Sequence, residues 1–212
     1  MYQILFGVLI GYLIGCINPA YVISRIKGFD IRQRGSGNAG ASNVMMTVGK
    51  KAGLFTALFD IFKAAAAVII INNFCPQVHF AKILGGTSCI LGHIFPIAMG
   101  FHGGKGLACL AGMILSYDPF IFVVLLAFEA VIGFSLDYVC VVPMTGSVIF
   151  TIIYALSTGD PFGTLLLAAI SVIIVIKHRE NLLRIQKGTE AHISFLWKKE
   201  QEIERIKQNT NA

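Results

Sequence analysis

Residues Ala52–Ile71 read AGLFTALFDIFKAAAAVIII. At 1.5 Å per residue this run makes about 30 Å of helix, the thickness of a bilayer's hydrocarbon core. Asp60 and Lys63 alone interrupt it, three apart on one helical face and about 12 Å in from its start. An unpaired charge at that depth costs about 2.5–3.5 kcal/mol on insertion scales, so the two must face protein or water. The stretch therefore reads as a membrane span that carries polar business inside it.

The rest of the chain agrees. With 212 residues, 56% hydrophobic and 13% charged, and a mean hydropathy of +0.75, it is too apolar for a soluble domain. The cysteines (Cys16, Cys75, Cys89, Cys109 and Cys140) are odd in number and form no CxxC pair. That argues against a disulfide framework or a zinc site. In a soluble protein the net charge of +6 would suggest nucleic acid; in a membrane protein the position of the charges matters more, and no nucleic-acid partner is expected.

Working outward, six more apolar segments flank the first: Tyr2–Ile23, Phe80–Ala98, Leu107–Ser116, Phe120–Phe134, Val139–Leu156 and Pro161–Ile176. Asn18-Pro19 is expected to kink or end the first helix. The expected fold is an all-α polytopic membrane protein with seven transmembrane helices, forming one domain over 1–212. No basic residue precedes the first span, while Arg25 and Lys27 follow it, which puts the N-terminus outside and the C-terminus in the cytoplasm. Of the 17 Lys and Arg residues, all but Lys63 and Lys82 fall between Arg25 and Lys51, at Lys105, or from Lys177 onward. Seven crossings bring those regions to one face: loops at about 24–51 and 99–106, and the tail 177–212. From about His192 to Lys207 the tail alternates apolar and charged residues, a pattern fit for an amphipathic surface helix. Glu129 reads as packed or snorkelling at the edge of a short span.

Three polar clusters share the basic face. The first is GSGNAGASN, Gly35–Asn43, where glycines free the backbone and Ser36, Asn38 and Asn43 add side-chain donors amid Arg32, Arg34, Lys50 and Lys51. Its G-x-G-x-x-G spacing lacks the strand and helix a dinucleotide site needs. The second, His102-Gly-Gly-Lys-Gly106, resembles a phosphate loop, but Met99 and Gly106 stand where a Walker A motif needs Gly and Ser or Thr. A lysine between glycines still suits a phosphate. In the third, His178 and Asn181 lie about one turn apart. With no GxSxG elbow, HEXXH motif or carboxylate pair beside the clusters, an aqueous hydrolase or metalloenzyme is poorly supported.

These motifs, in order, are Asp30-Ile31-Arg32 with GSGNAGASN, Gly49-Lys-Lys-Ala-Gly53, Asp60-x-x-Lys63, GHIFP, GFHGGKGLA, His178-x-x-Asn181-x-x-Arg184 and Gly188-Thr-Glu190. Together they resemble the bacterial acyl-phosphate-dependent glycerol-3-phosphate acyltransferases, the PlsY family. The resemblance implies transfer of a fatty acyl group from acyl phosphate to the 1-hydroxyl of glycerol 3-phosphate, giving lysophosphatidic acid and phosphate. It implies a catalytic set of Ser36, Lys105, His178 and Asn181. Gly37, Asn38, Asn43, Gly103, Gly104, Gly106 and Lys50 would bind substrate. It further implies an enzyme of the bacterial inner membrane, with its active site facing the cytoplasm and no metal or cofactor. Where the family usually carries a phosphate-binding arginine, this chain has Met46. Two alternatives stand beside this reading: a divergent paralogue with another acceptor, and a phosphate-ester transporter using Asp60, Lys63 and Glu129.

Overall fold

The computed structural model describes residues 1–211, which contain helices and connecting segments and no strand. Helices α1 (Tyr2–Cys16) and α2 (Pro19–Ile26) make the first expected span, broken at the expected place. Pro19 has no N–H to give, and Asn18 Oδ1 accepts from the Tyr21 amide at 2.9 Å, so the second half starts as a freshly capped helix. A short α3 (Ala41–Thr47) lies inside the stretch that reads as irregular loop. It is followed by α4 (Lys50–Phe74), α5 (Ala81–Ile94), α6 (Leu107–Tyr117), α7 (Pro119–Leu136), α8 (Val142–Thr158), α9 (Pro161–Lys177), α10 (Arg179–Gln186) and α11 (Lys199–Asn211).

Length and composition carry fewer crossings than the expected seven. Tyr2–Ile26, Lys50–Phe74, Ala81–Met99, Pro119–Leu136 and Val139–Thr158 qualify, with a sixth if α9 and α10, bent by 40° at His178, count as one span. The shortfall lies at α6, whose 11 residues make only about 16 Å of helix.

The core is organised around α5, of whose 14 residues 12 are buried; α1, α4, α6 and α9 pack against it. On α1 the buried residues are Gly7, Gly11 and Gly15, spaced four apart as a flat stripe. That stripe lets two backbones approach closely, since a Cβ on Gly15 would stand 2.1 Å from the Cys89 carbonyl. In contrast, α7 sits at the edge and buries only Leu125, Glu129 and Gly133. Leu126, Phe128, Val131 and Phe134 on the same helix are exposed, an arrangement suited to lipid and costly in water. Glu129 is packed, accepting from Thr145 Oγ1 at 2.7 Å, while its Oε1 has no partner among the described residues.

The two ends of the bundle differ in chemistry. At one end, His79 meets Asp160 at 3.0 Å, Phe80 stacks on Phe162, and Lys82 donates to the Tyr117 carbonyl at the last turn of α6. The other end gathers the connections around residues 27–40, 95–106 and 137–141 and everything after α9. The tail is clasped there, with Arg205 donating to the carbonyls of Gly188 and Glu190 at 2.6 Å each. Glu202 of α11 is buried against Arg205 and the His192 amide. So α11 docks through its polar face onto the preceding turn.

Candidate active site

The glycine loop is built around Asn43. Its side chain is fully buried. The amide Nδ2 donates to the carbonyls of Ile31, Arg34 and Asn38 at 2.9–3.0 Å, and Oδ1 accepts from the Ser36 amide at 3.0 Å. One side chain thus closes the turn from four directions, with both Nδ2 hydrogens engaged. Asn43, expected among the substrate-binding residues, holds a scaffolding position in this loop. Gly35, at φ +59°, is required by the same knot: a Cβ there would lie 2.1 Å from Asn43 Oδ1. Asn18 ties the loop to the helix break through Ala39 O at 3.1 Å.

Arg32 joins this loop to the second. Its guanidinium forks onto Asp30 at 2.7–3.2 Å and donates to the Met99 carbonyl at 2.6 Å. The hydrogen bond from Arg32 holds the Asp30 carboxyl down at about 2. In the second loop, the Gly103 and Gly104 amides donate to the carbonyls of Ile94 and His93 at 3.1 and 3.0 Å. They cap the exposed carbonyls of α5, so both amides are bonded within the fold. What remains for an anion is the Lys105 ammonium and the N-terminus of α6, for which Gly106 is the cap residue.

Lys105 Nζ donates to Asn181 Oδ1. Asn181 Nδ2 in turn donates to Glu190 Oε1 at 2.5 Å, and Arg184 Nε donates to Glu190 Oε2 at 2.6 Å. Burial pushes the Lys105 ammonium below its ordinary 10.5, with nearby Arg184 as the next cause. An anion arriving there would restore the charge environment the lysine lacks. His178, at the bend between α9 and α10, is buried, with Nδ1 2.8 Å from the Ile174 carbonyl. A carbonyl can only accept, so Nδ1 carries the proton and the neutral ring offers Nε2 as an acceptor.

The three segments enclose a cleft of about 590 Å³. Of the site residues expected from the sequence, Ser36, Gly37, Asn38, Gly103 and Lys105 line it. Asn43, Gly104, Gly106, His178 and Asn181 stand behind that lining, and Lys50, at the start of α4, does not reach it. Arg32, Lys177 and Arg179, absent from the expected site residues, add three cations against Asp30 and Glu180. Their signal in the sequence was basic residues beside each motif; which of the many faced inward was not readable there.

Residues 5–188 match the family described as Glycerol-3-phosphate acyltransferase. The chain belongs to this family. Among its relatives, the glycerol-3-phosphate acyltransferase of Bacillus velezensis is 35% identical over 190 residues, covering 89% of this chain and 96% of that protein. The Bacillus subtilis one is 34% identical over 191 residues, covering 89% and 97%. The crystal structure of PlsY (YgiH), an integral membrane glycerol 3-phosphate acyltransferase, in its glycerol 3-phosphate form superposes with a TM-score of 0.81 at 30% identity, covering 91% of this chain and 96% of that one. Its lysophosphatidic acid form gives 0.77 at 29% identity, covering 89% and 94%. As a glycerol-3-phosphate acyltransferase, the chain is an acyltransferase of phospholipid synthesis and an integral membrane protein. Family membership leaves the transporter reading without support.

Proposed function

We propose that the chain transfers a fatty acyl group from acyl phosphate to the 1-hydroxyl of glycerol 3-phosphate, releasing lysophosphatidic acid and inorganic phosphate. The observation that carries this reading is the superposition on PlsY in its glycerol 3-phosphate form over 91% of the chain. The cleft supports it, since two phosphate-bearing substrates need a basic enclosure and Arg32, Lys105, Lys177 and Arg179 supply one.

The donor is already activated, so no covalent enzyme intermediate is required. The hydroxyl oxygen attacks the acyl carbonyl carbon and the carbon–oxygen bond to phosphate breaks. The hydroxyl proton ends on the departing phosphate. Lys105, with Ser36 and Asn38, binds and orients phosphate, and stabilises charge as it moves onto the leaving group. Asn181 steers the Lys105 ammonium to which it is bonded. The test is phosphate release by the purified protein given palmitoyl phosphate, with and without glycerol 3-phosphate. Release that depends on the acceptor and yields lysophosphatidic acid is expected. Turnover indifferent to glycerol 3-phosphate overturns the acceptor assignment and favours the second reading, a changed acceptor, which rests on Met46 where the family usually has Arg.

The topology belongs to the same proposal: one catalytic unit with seven crossings, N-terminus outside, and the cleft at the cytoplasmic face of a bacterial inner membrane. Support comes from α6. It starts beside Lys105 at the cleft and ends at Tyr117, which accepts from Lys82 and packs against Tyr154 at the far end of the bundle. Short as it is, it joins the two ends. A reporter active only in the cytoplasm, fused after Ala212, should be active; silence there with activity at the N-terminus would reverse the orientation.

A further inference from the structure

Asp60 and Lys63 are nearly inaccessible, and their surroundings say more than a salt bridge. The Lys63 ammonium lies 2.7 Å from Asp60 Oδ1 and 3.1 Å from His93 Nδ1, and donates to the Ile17 carbonyl at 2.6 Å. Ile17 is the residue at which α1 ends and the Asn18-Pro19 break begins. A carbonyl left over at a helix break inside a membrane span needs a donor. Lys63 provides it.

Two paths leave that ammonium, one for each substrate loop. Through Ile17, the next residue is Asn18, whose Nδ2 holds Ala39 O in the glycine loop. The other runs through His93. Its ring presses against Gly104, where a Cβ would stand 2.1 Å from Nε2, and its carbonyl holds the Gly104 amide. Lys105, which lines the cleft, is the next residue. Asp60, His93 and Cys109 bring ligand atoms within 4.8 Å of one another, a spacing suited to a metal. The lysine ammonium already lies against two of the three, so the cation of this cluster is Lys63 itself.

We propose that Lys63 is a positioning residue for the transfer reaction, setting the separation of the glycine loop and the glycine–lysine loop from beneath by bonding to the supports of both. This rests on the function proposed above. It separates two roles that a buried ion pair can have: adding stability, for which neutral replacement is tolerated, and fixing geometry, for which a donor at that place is indispensable.

The test compares two double variants of equal charge, Asp60→Asn with Lys63→Gln and Asp60→Asn with Lys63→Met. Gln keeps N–H donors and Met keeps only bulk. The Gln variant is expected to stay within about threefold of wild type in KM for both substrates, and the Met variant to rise about tenfold or more. The two should unfold at similar temperatures in detergent. Equal kinetics in the two variants would overturn the proposal. A second arm needs no turnover, and so distinguishes failure here from failure of the assigned reaction. Spin labels at Gln33→Cys and His102→Cys, one on each loop, report the separation by pulsed electron resonance. Asn18→Ala, which cuts the tie to Ala39 and leaves the charged cluster intact, should broaden that distance distribution. An unchanged distribution means the loops are held by something else, and overturns it as well.

Discussion

The loops at Gly35–Asn43 and His102–Gly106 look alike as sequence, small residues around a polar one beside basic flanks, and the fold holds them by opposite means. In the first, a buried side chain reaches inward and ties four backbone groups: Asn43 to Ile31, Arg34, Asn38 and Ser36. In the second, the backbone itself is the anchor, as Gly103 and Gly104 close over the end of α5. Glycine-rich loops near a phosphate invite a reading in which every amide faces the ligand. Here much of that capacity is used to hold the loop, and side chains on the rim, Ser36, Asn38 and Lys105, meet the cleft. Gly35 and Gly104 are there for close approach of protein to protein.

This contrast can be broken by experiment. The largest effect should come at the one cation of the second loop. Lys105→Ala removes the ammonium and its bond to Asn181, and kcat/KM for acyl transfer is expected to fall by roughly 10²–10³-fold, with the melting temperature in detergent little changed. Unaltered turnover would remove Lys105 from the mechanism. Asn43→Ala should act differently. It strands buried carbonyls at about 1–3 kcal/mol each, so activity and thermal stability should fall together, whereas Ser36→Ala should lower activity alone. Matching stability losses in these two variants would contradict the scaffold-versus-rim distinction.

A gain is expected next, from Met46→Arg on α3. A restored charge-assisted contact of about 1.5–3 kcal/mol corresponds to a KM for glycerol 3-phosphate lower by roughly tenfold to a hundredfold. No gain would mean that the basic residues already lining the cleft have taken over. The pH profile sharpens the same point. Because burial lowers the Lys105 pKa in the folded protein, its charge is complete below that lowered value and is lost as pH rises through it, sooner than for an ordinary lysine. Anion binding should weaken on the alkaline side accordingly. Stability moves the other way, since the unfolded chain holds this proton more tightly. Lys105→Arg, always charged, should flatten whatever alkaline loss this group causes. The smallest effect is expected at Glu129→Gln. That carboxyl is buried beside Thr145 and does not line the cleft, and turnover should change by less than about twofold. A large loss would bring α7 into the site.

Much of the molecule was legible beforehand, for identifiable reasons. The break at Asn18-Pro19 follows from a missing N–H. The motif residues Ser36, Gly37, Asn38, Gly103 and Lys105 do line one cleft. Direction was not legible. Nothing local says that Asn43 turns inward, that Gly104 seats against His93, or that Arg32 reaches the Met99 carbonyl 67 positions later. Nor does composition reveal that α6, too short by length to qualify as a crossing, ends beside Lys82 and Tyr154.

What the amino-acid order determined alone is the solvent and the periodic elements: apolar runs of bilayer length make helices in lipid because no other backbone arrangement there satisfies its own hydrogen bonds. The tertiary structure decided which polar groups were left over for chemistry. Each buried donor and acceptor must be matched within the fold, and only the packed arrangement shows that Asn43 and the two loop amides are matched internally while the Lys105 ammonium, bonded to Asn181, lines the cleft.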